Sequence, residues 1–231
     1  MSGGKQILSA MSVIVICEHA VNTVPAEFGY MFRGNEDILR SHRGYDAGAA
    51  EAALLLGKLL GITPITGSIT RLIIDLNRSP HNRAVFSEFS KNLSTTEKQR
   101  LFDEYHTPFR KKVLEAAEKA KRPVLHISVH SFTPVLNGDI RKADIGILYN
   151  PARESEKAAA AALARGLKTL PYKVMKNSPY QGKSDGTAAW LRKLIPDADY
   201  SGIELELNQK LLTDGRFPEE IIAKTAALLK D

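Results

Sequence analysis

The sequence predicts an α/β fold, with a mixed, mostly parallel central sheet and helices on both faces. Short runs rich in β-branched residues alternate with longer stretches of helical periodicity, which is the pattern of strands joined by crossover helices. The 231 residues include 43% hydrophobic residues, enough to build a core, and no internal repeat is visible. We therefore expect one domain that spans residues 1–231.

The predicted strands are short and carry the β-branched and aromatic residues that strands favour. In chain order they are VIVIC at 13–17, LIIDL at 72–76, VLHISV at 124–129, IGILY at 145–149, YKVMK at 172–176 and GIELEL at 202–207. In an open α/β sheet the ligand binds outside the carboxyl ends of the strands. The residues that follow these strands are therefore the first candidates for a functional site.

The predicted helices are longer segments with apolar residues three or four positions apart. In chain order they are residues 47–60, 95–121, 154–170, 187–195 and 219–230. An alanine-rich stretch in the third helix has charged flanks and a central leucine, which favour a packed helix over a low-complexity segment. Two Pro- or Gly-bearing stretches, residues 22–34 and 79–95, are predicted to be long loops of the kind that form lids or binding walls.

Composition narrows the class of partner. Lys and Arg number 32 against 26 Asp and Glu, a formal net charge of +6, and the basic residues are spread along the chain instead of forming a block. This distribution argues against nucleic-acid binding and fits a small anionic substrate. No apolar stretch approaches the roughly 20 residues that span a bilayer, and the single cysteine, Cys17, excludes an intrachain disulfide. We expect a cytoplasmic protein, monomeric or homodimeric, without nucleic-acid or membrane partners.

Ionisable residues and other polar residues collect where the predicted strands end. A single histidine at such a place is more often structural, but the same feature at four strands weakens that interpretation. The residues are Glu18 and His19 after the first strand, Asp75, Asn77 and Arg78 at the second, His130 and Ser131 after the third, and Glu204, Glu206 and Asn208 at the last.

Strand alternation places several of these groups on one face of their strands. His126, Ser128 and His130 share a face of the third strand, and Glu204 and Glu206 share a face of the last one. Two carboxylates on an interior strand are costly unless they meet a metal or another cation, such as an arginine. The alternative is an edge strand with a solvated face.

Two histidines and a carboxylate with an open fourth position make a catalytic zinc site, and a nearby unbound glutamate can serve as general base for a water. His19, Asp46 and His130 are the candidate ligands, with Glu206 as the candidate base. Asp46 has a second explanation, since it precedes a predicted helix and could be its N-cap. The chain has no compact His-Glu-x-x-His element, so spacing by itself does not indicate a metal.

Two arginines, Arg71 and Arg78, flank the second predicted strand. The guanidinium fork matches a carboxylate, and a pair of such groups suits a dicarboxylate. These arginines, with Asn77 beside Arg78, are candidate contacts for an anionic substrate.

A series of sequence blocks runs in order from about residue 13 to 215. The first blocks are Cys17-Glu18-His19-Ala20 with Asn22 and Pro25, His42 with Asp46-Ala47-Gly48-Ala49, and Thr70-Arg71-Leu72 with Asp75-Leu76-Asn77-Arg78. The later blocks are Ser87-Glu88, His130-Ser131-Phe132-Thr133-Pro134, Gly146-Ile147-Leu148, Asn177 with Pro179-Tyr180, and Glu206 with Leu211-Leu212. By this ordered set, which covers nearly the whole chain, the sequence resembles the N-formylglutamate amidohydrolase family.

The resemblance implies a fold similar to that of the zinc-dependent exopeptidases. It also implies hydrolysis of N-formyl-L-glutamate to formate and L-glutamate, a step of histidine degradation. His19 and His130 would match metal-binding histidines, for Zn²⁺ or another divalent metal, and Glu206 the catalytic carboxylate. Arg71 or Arg78 would anchor the substrate carboxylate. Further candidates for substrate contact are Asn77, Ser131 and Tyr180.

Two positions depart from the pattern that the resemblance implies. The zinc exopeptidases usually carry an acidic residue three positions after the first histidine, and here that residue is Asn22. Asp46 is therefore expected to complete the ligand set. Relatives often carry an acidic residue before Pro179-Tyr180, where this chain has Ser178. We therefore expect an N-acyl acidic amino acid as the substrate class, with N-formyl-L-glutamate as its first member.

Two other functions fit the same residues. One is a binding protein that keeps the scaffold and an anion pocket but has lost the metal and turnover, for which Asn22 and Ser178 are the support. The other is a metal-free hydrolase with Ser131 or Cys17 as nucleophile. Neither residue lies in a Gly-x-Ser-x-Gly element, and Cys17 lies within an apolar predicted strand.

Overall fold

The structure is a computed structural model that describes residues 7–230. Its strands are β1 (Ser12–Cys17), β2 (Ile65–Thr66), β3 (Val124–Phe132), β4 (Val135–Leu136), β5 (Asp139–Ile140), β6 (Ile145–Leu148), β7 (Val174–Lys176) and β8 (Tyr200–Asn208). Its helices include α1 (Glu36–Arg40), α2 (Ala49–Leu60), α3 (Thr95–Leu101), α4 (Thr107–Lys119), α5 (Glu154–Leu167), α6 (Thr187–Leu194) and α7 (Glu219–Leu229). The alternation of strands and helices confirms the predicted α/β class.

The central sheet has the strand order β2-β1-β3-β8-β6-β7. Strands β2, β1, β3 and β8 are parallel, while β6 and β7 run in the opposite direction. The sheet is therefore mixed and mostly parallel, as predicted. Because β1, β3 and β8 are parallel, their carboxyl ends meet at one edge of the sheet, and His130 on β3 lies opposite Glu206 on β8.

Helices cover both faces of this sheet. On one face, α2, α5 and α7 pack against Leu125, Ile127 and Val129 of β3 and against the matching residues of β8. On the other face, a second apolar cluster contains residues of α3, α4 and α6. The alternation predicted for β3 and β8 is confirmed, because His130 and Glu206 lie on the face opposite to α2, α5 and α7.

Strand β8 lies inside the sheet, between β3 and β6. The alternative of an edge strand with a solvated face is therefore wrong. Glu206 is 4% exposed and Asn208 is fully buried. The carboxylate of Glu206 therefore lies within the protein and needs polar partners or a cation, while Glu204 is partly exposed.

The strand predicted at residues 72–76 is wrong. The segment is a buried irregular turn, in which the amide of Ile73 donates to the carbonyl of Thr70 and that of Asp75 to the carbonyl of Val85. Its apolar side chains all enter the second core cluster without alternating. The β-branched composition of this segment therefore reflects its burial. Its backbone groups form hydrogen bonds within turns and to a loop instead of to a neighbouring strand. The strand that pairs with the outer edge of β1 is β2, which the sequence did not predict.

The helix predicted at residues 95–121 is interrupted. A π-helical turn at Phe102–His106 separates α3 from α4, just before Pro108. Proline has no amide hydrogen for the regular ladder, which explains the wider turn at this place. The helix predicted to begin at residue 47 begins at Ala49, after Gly48 with a φ of 75°. The other predicted helices and strands are confirmed with small shifts of their ends.

The loop at residues 22–34 contains a short 3-10 helix, Ala26–Phe32, whose Phe28 and Phe32 enter the core. The hairpin of β4 and β5 closes through Asn137 and Gly138, which both have positive φ, as in the two-residue turns that hairpins favour. This hairpin and the segment at residues 177–186 lie beside the carboxyl edge of the sheet and line the cavity described below.

His126 makes stability depend on pH. Its Nδ1 lies 2.6 Å from the hydroxyl of Tyr200, and burial lowers the pKa of His126 to about 4. Between that pKa and the ordinary value of 6.5 the unfolded chain binds more protons. The contribution of neutral His126 to the stability of the folded protein is thus complete above pH 6.5 and is lost as the pH falls towards 4.

We expect the unfolding free energy to fall by up to about 3 kcal/mol over this window through His126 alone. Urea unfolding of wild type and of His126→Gln at pH 4 to 7 measures this contribution as the difference between the two slopes. Parallel slopes would show that His126 does not titrate on unfolding. His81→Gln, at an exposed histidine, is the matched control.

Candidate active site

Three predicted ligands meet at the carboxyl edge of the sheet. Potential donor atoms of His19, Asp46 and His130 all lie within 4.8 Å of one another, and the three side chains are buried. Asp46 Oδ2 lies 2.8 Å from His130 Nδ1 and 3.4 Å from His19 Nδ1. The two imidazoles thus direct the same ring nitrogen towards one carboxylate oxygen. We call these residues the His-Asp-His cluster.

Different elements supply the three side chains. His19 follows β1 by two residues, and His130 lies on β3. Asp46 precedes α2, and its amide donates to the carbonyl of His19 at 3.0 Å, which fixes the two segments together. The N-cap of α2 is Gly48, so Asp46 is not the cap, and its side chain is turned to the histidines instead.

Carboxylates hold the far nitrogens of both imidazoles. His19 Nε2 lies 2.7 Å from Asp75 Oδ1, and His130 Nε2 lies 2.8 Å from Ser128 Oγ and 3.4 Å from Glu18 Oε2. The Ser128 hydroxyl in turn donates to Glu18 at 2.5 Å. A carboxylate behind a histidine favours hydrogen on Nε2, which leaves the Nδ1 lone pair free for a metal.

The charges of the cluster stabilise one another. Burial lowers the pKa of His130, but Glu18 and Asp46 outweigh this effect and raise it well above the usual value. Burial raises the pKa of Glu18, but His130 and Ser128 outweigh this effect and lower it to about 2. The pKa of Asp46 is also lowered, against the effect of burial, by both histidines. Ionised carboxylates are therefore ready to face a cation.

The donors fit a divalent metal of the zinc type. Two imidazole nitrogens and one carboxylate oxygen are a ligand set of catalytic zinc sites, which leave a position open for water or substrate. The cluster faces a cavity, so the open position is accessible. Asn22 is half-buried and is not among the described residues that line this cavity. Asp46, which lies with the two histidines, therefore stays the predicted third ligand.

Glu206 lies in the same cavity as the cluster. Burial raises the pKa of Glu206 to about 8, with further contributions from Asp46 and Glu204 and an opposing one from His130. Its buried Oε2 has no hydrogen-bond partner among residues 7–230. A carboxyl group with a free oxygen and a pKa near neutrality has the properties of a general base or acid.

Gly146 on β6 lies opposite Glu206, and only glycine fits there. A Cβ at this position would lie 2.3 Å from the carbonyl oxygen of Ser178 and 3.0 Å from the Cβ of Glu206. The segment that begins at Ser178 therefore passes against β6 at Gly146, close to Glu206, and Tyr180 of this segment lines the cavity.

All nine predicted site residues line one cavity of about 400 Å³. They are His19, Asp46, Arg71, Asn77, Arg78, His130, Ser131, Tyr180 and Glu206. Their individual roles stay predictions.

The predicted anion contacts differ in how far they are already engaged. Arg71 donates to Asp46 at 3.4 Å and to Asp75 at 3.1 Å. Arg78 donates to the carbonyl oxygen of Asp185 at 2.6 Å, and its Nε lies 4.0 Å from Asp75. The Oδ1 of Asn77 accepts from the amide of Thr187 at 2.8 Å, so its NH₂ group is the end available to a ligand.

Ser131 and Tyr180 lie at different depths of the cavity. Ser131 is buried, donates to the carbonyl of Ala47 at 2.7 Å and accepts from Gln209 at 2.9 Å. Tyr180 is 44% exposed and forms part of the rim. The contacts of Ser131 do not include a histidine, so its hydroxyl lacks a base that would make it a nucleophile.

Cys17 is also a poor nucleophile. Its side chain is fully buried, and burial, with Asp46 and Glu18, raises the pKa of the thiol well above its usual value. A nucleophilic cysteine needs a lowered pKa and access to substrate. The geometry thus argues against both metal-free mechanisms.

Sequence reasoning assigned no role to several residues of the site. Glu18 and Asp75 were visible as ionisable groups at predicted strand ends, but their contacts with the far side of the imidazoles depend on the fold. Arg141 and Asp185 line the cavity from loops and carried no pattern that could have found them. Other lining residues that sequence reasoning did not single out are Arg43, Gln181 and Ser184, and Leu136 on β4.

Comparison with known families tests the predicted identity. A family model described as N-formylglutamate amidohydrolase matches residues 11–213. The chain belongs to the N-formylglutamate amidohydrolase family. Membership in this family confirms the prediction of an amidohydrolase.

Solved structures share the fold of this family member. A gene product of Agrobacterium tumefaciens is 27% identical with a TM-score of 0.76, and the match covers 96% of this chain and 89% of that one. The N-formylglutamate amidohydrolase of Ralstonia eutropha JMP134 is 19% identical with a TM-score of 0.68, and the match covers 95% and 92%. At 19% identity, the likeness to the Ralstonia eutropha protein concerns the fold alone. No curated protein matches the chain.

No helix within residues 7–230 of this family member has both the length and the apolar character needed to cross a membrane.

Proposed function

We propose that the protein hydrolyses the amide bond of an N-acyl acidic amino acid, with N-formyl-L-glutamate, split to formate and L-glutamate, as the favoured substrate. One observation carries this proposal: the His-Asp-His cluster lines the same cavity as Glu206, whose Oε2 has no hydrogen-bond partner within residues 7–230. Family membership supports the reaction type, and the arginines of the cavity support an anionic substrate.

His19, Asp46 and His130 would hold Zn²⁺ or another divalent metal. Such an ion supplies a Lewis acid for the amide carbonyl and favours the ionised form of a neighbouring carboxyl group. Asp75 and Glu18 orient the two imidazoles from behind.

Glu206 would move the proton of the reaction. In its ionised form it accepts a proton from the attacking water, whose oxygen forms a bond to the acyl carbon. The same carboxyl group then gives this proton to the amine nitrogen as the C–N bond breaks. Burial keeps bulk water from competing as proton donor and acceptor.

Arg78 and Asn77 would bind the carboxylate on the α-carbon of the substrate. Asn77 and Arg78 are neighbours in the sequence, and both line the cavity. The NH₂ group of Asn77 and the guanidinium of Arg78 are the donors that they offer. Arg71 stays a predicted contact, although its guanidinium is shared between two carboxylates of the protein. Ser131 and Tyr180 stay predicted contacts from the floor and the rim.

An assay of amine release tests the proposed function. N-formyl and N-acetyl derivatives of glutamate and aspartate are compared, with and without added zinc, on protein whose metal content is measured. We expect zinc-dependent release, fastest with N-formyl-L-glutamate. Full zinc occupancy without any release would contradict the proposal and favour the anion-binding protein.

Asp75 provides a test of the support behind the cluster. Replacing Asp75 with Asn should weaken zinc binding by about 10- to 100-fold, because His19 loses the charge that orients it. Competition with a chelator measures the affinity. Glu88→Gln is the control, since Glu88 pairs with Arg43 outside the cluster. Unchanged affinity in the Asp75 variant would show that His19 is oriented in another way.

A further inference from the structure

Four arginine side chains line the cavity: Arg43, Arg71, Arg78 and Arg141. Three of them are held by acceptors of the protein itself. Arg71 is shared between two carboxylates and Arg78 donates to a backbone carbonyl, as described above, while Arg43 pairs with Glu88. The remaining question is which group neutralises the charge of the fourth arginine, Arg141.

Arg141 has no acidic partner in the part of the chain that the structure describes, since no carboxylate oxygen of residues 7–230 lies within 4.0 Å of its guanidinium nitrogens. The guanidinium lies over the ring of Tyr180, 4.8 Å from its centre, and 5.6 Å from the centre of the Phe132 ring. These cation–π contacts hold the guanidinium beside the cavity, and the N–H groups that are not turned to Tyr180 are available to a planar anion.

The backbone also holds Arg141 in place. It follows β5, and its amide donates to the carbonyl of Pro134 at 2.8 Å, which closes the base of the β4–β5 hairpin. Leu136 of the same hairpin lines the cavity as well. Arg141 is thus presented to the cavity by a short closed element, which limits the entropy lost when it binds a ligand.

We propose that Arg141 determines specificity for an acidic side chain by binding the second carboxylate of the substrate. This inference rests on the proposed function, because it assigns a subsite of the same cavity. An acidic amino acid carries two carboxylates. Arg78 and Asn77 take the one on the α-carbon, and Arg141, whose charge has no carboxylate partner within residues 7–230, takes the one on the side chain.

Binding of the amino acid product tests the inference without turnover. L-glutamate and L-glutamine differ in the group that Arg141 recognises, and titration calorimetry measures their affinities for wild type and Arg141→Met. We expect the variant to bind glutamate roughly 30-fold more weakly, while its affinity for glutamine changes by less than about 3-fold. Arg141→Lys should restore part of the affinity. Lys142→Met, at the exposed neighbouring cation, is the matched control and should bind as wild type does.

Kinetics should follow the same pattern. For N-formyl-L-glutamate, kcat/KM of Arg141→Met is expected to fall roughly 30-fold, mainly through KM, with little change for N-formyl-L-glutamine. The inference is overturned if wild type does not prefer glutamate to glutamine, or if Arg141→Met weakens both ligands equally. If glutamate binding depends on Arg141 but no N-acyl amino acid is hydrolysed by the zinc-loaded protein, the proposed function fails and the role of Arg141 stands.

Discussion

Replacing Glu206 with glutamine is expected to lower kcat by roughly 10³-fold. Glutamine keeps the size of the side chain and its place opposite His130, but it cannot accept a proton from water and return it to the amine. Steady-state kinetics on N-formyl-L-glutamate measures the loss. Metal content and the thermal unfolding midpoint should stay close to those of wild type, because Glu206 is not among the proposed ligands.

Glu204 provides a matched control on the same strand. It lies two residues before Glu206, on the same face of β8, and also lines the cavity, but it is opposite Ser128 instead of His130. Glu204→Gln should lower kcat by less than about 10-fold, because Glu204 is not the proposed base. Loss of a general base lowers kcat by roughly 100-fold or more. If kcat fell equally in both variants, the effect would come from the negative charge on this face of β8 and not from a base at Glu206. Wild-type activity in the Glu206 variant would exclude Glu206 as the base.

Replacing His130 with alanine is expected to abolish stoichiometric zinc binding and, with it, turnover. The change removes one of three proposed ligands, and an affinity loss of at least about 100-fold is expected because changes behind a ligand alone cost up to that factor. It also removes the imidazole that lies 2.8 Å from Asp46 and 3.4 Å from Glu18. Metal analysis after dialysis against a zinc buffer measures the occupancy.

His81→Ala is the control, because His81 is exposed and is not part of the His-Asp-His cluster. Circular dichroism should show that the His130 variant retains its secondary structure. If the variant still binds one zinc per chain, the ion is held elsewhere and the proposed ligand set is wrong. If wild type itself binds no zinc and releases no amine, the protein is the anion-binding alternative.

The strands of the site could be predicted from the sequence because their patterns are local. Alternation on β3 and β8 identified the faces of His130 and Glu206, and the sheet order then confirmed β8 as an interior strand. The prediction of a strand at residues 72–76 was wrong, because the β-branched residues there reflect burial and the backbone forms a turn. β2 was missed because two residues are too few to show a period.

The site residues show the same limit in another form. Ionisable groups at strand ends indicated His19 and Arg78 as members of one site, and the cavity does contain them both. The ion pairs of Arg71 with Asp46 and Asp75 were not predictable from the sequence. The lack of a carboxylate partner for Arg141 within residues 7–230 was not predictable either. Whether a guanidinium is free depends on which carboxylates fold next to it.

The sequence by itself determined the α/β class, the amidohydrolase family and the residues that meet at the carboxyl edge, because these follow from short-range periodicity and ordered blocks of residues. Only the tertiary structure decided that Asp46 faces His19 and His130 instead of capping a helix, and that Asp75 and Glu18 lie behind the imidazoles. It also decided that Arg141 lines the cavity with no carboxylate partner among the described residues. The physical reason is distance along the chain. Asp46 is 84 residues from His130, and no local propensity encodes the geometry of a contact that the path of the whole chain creates.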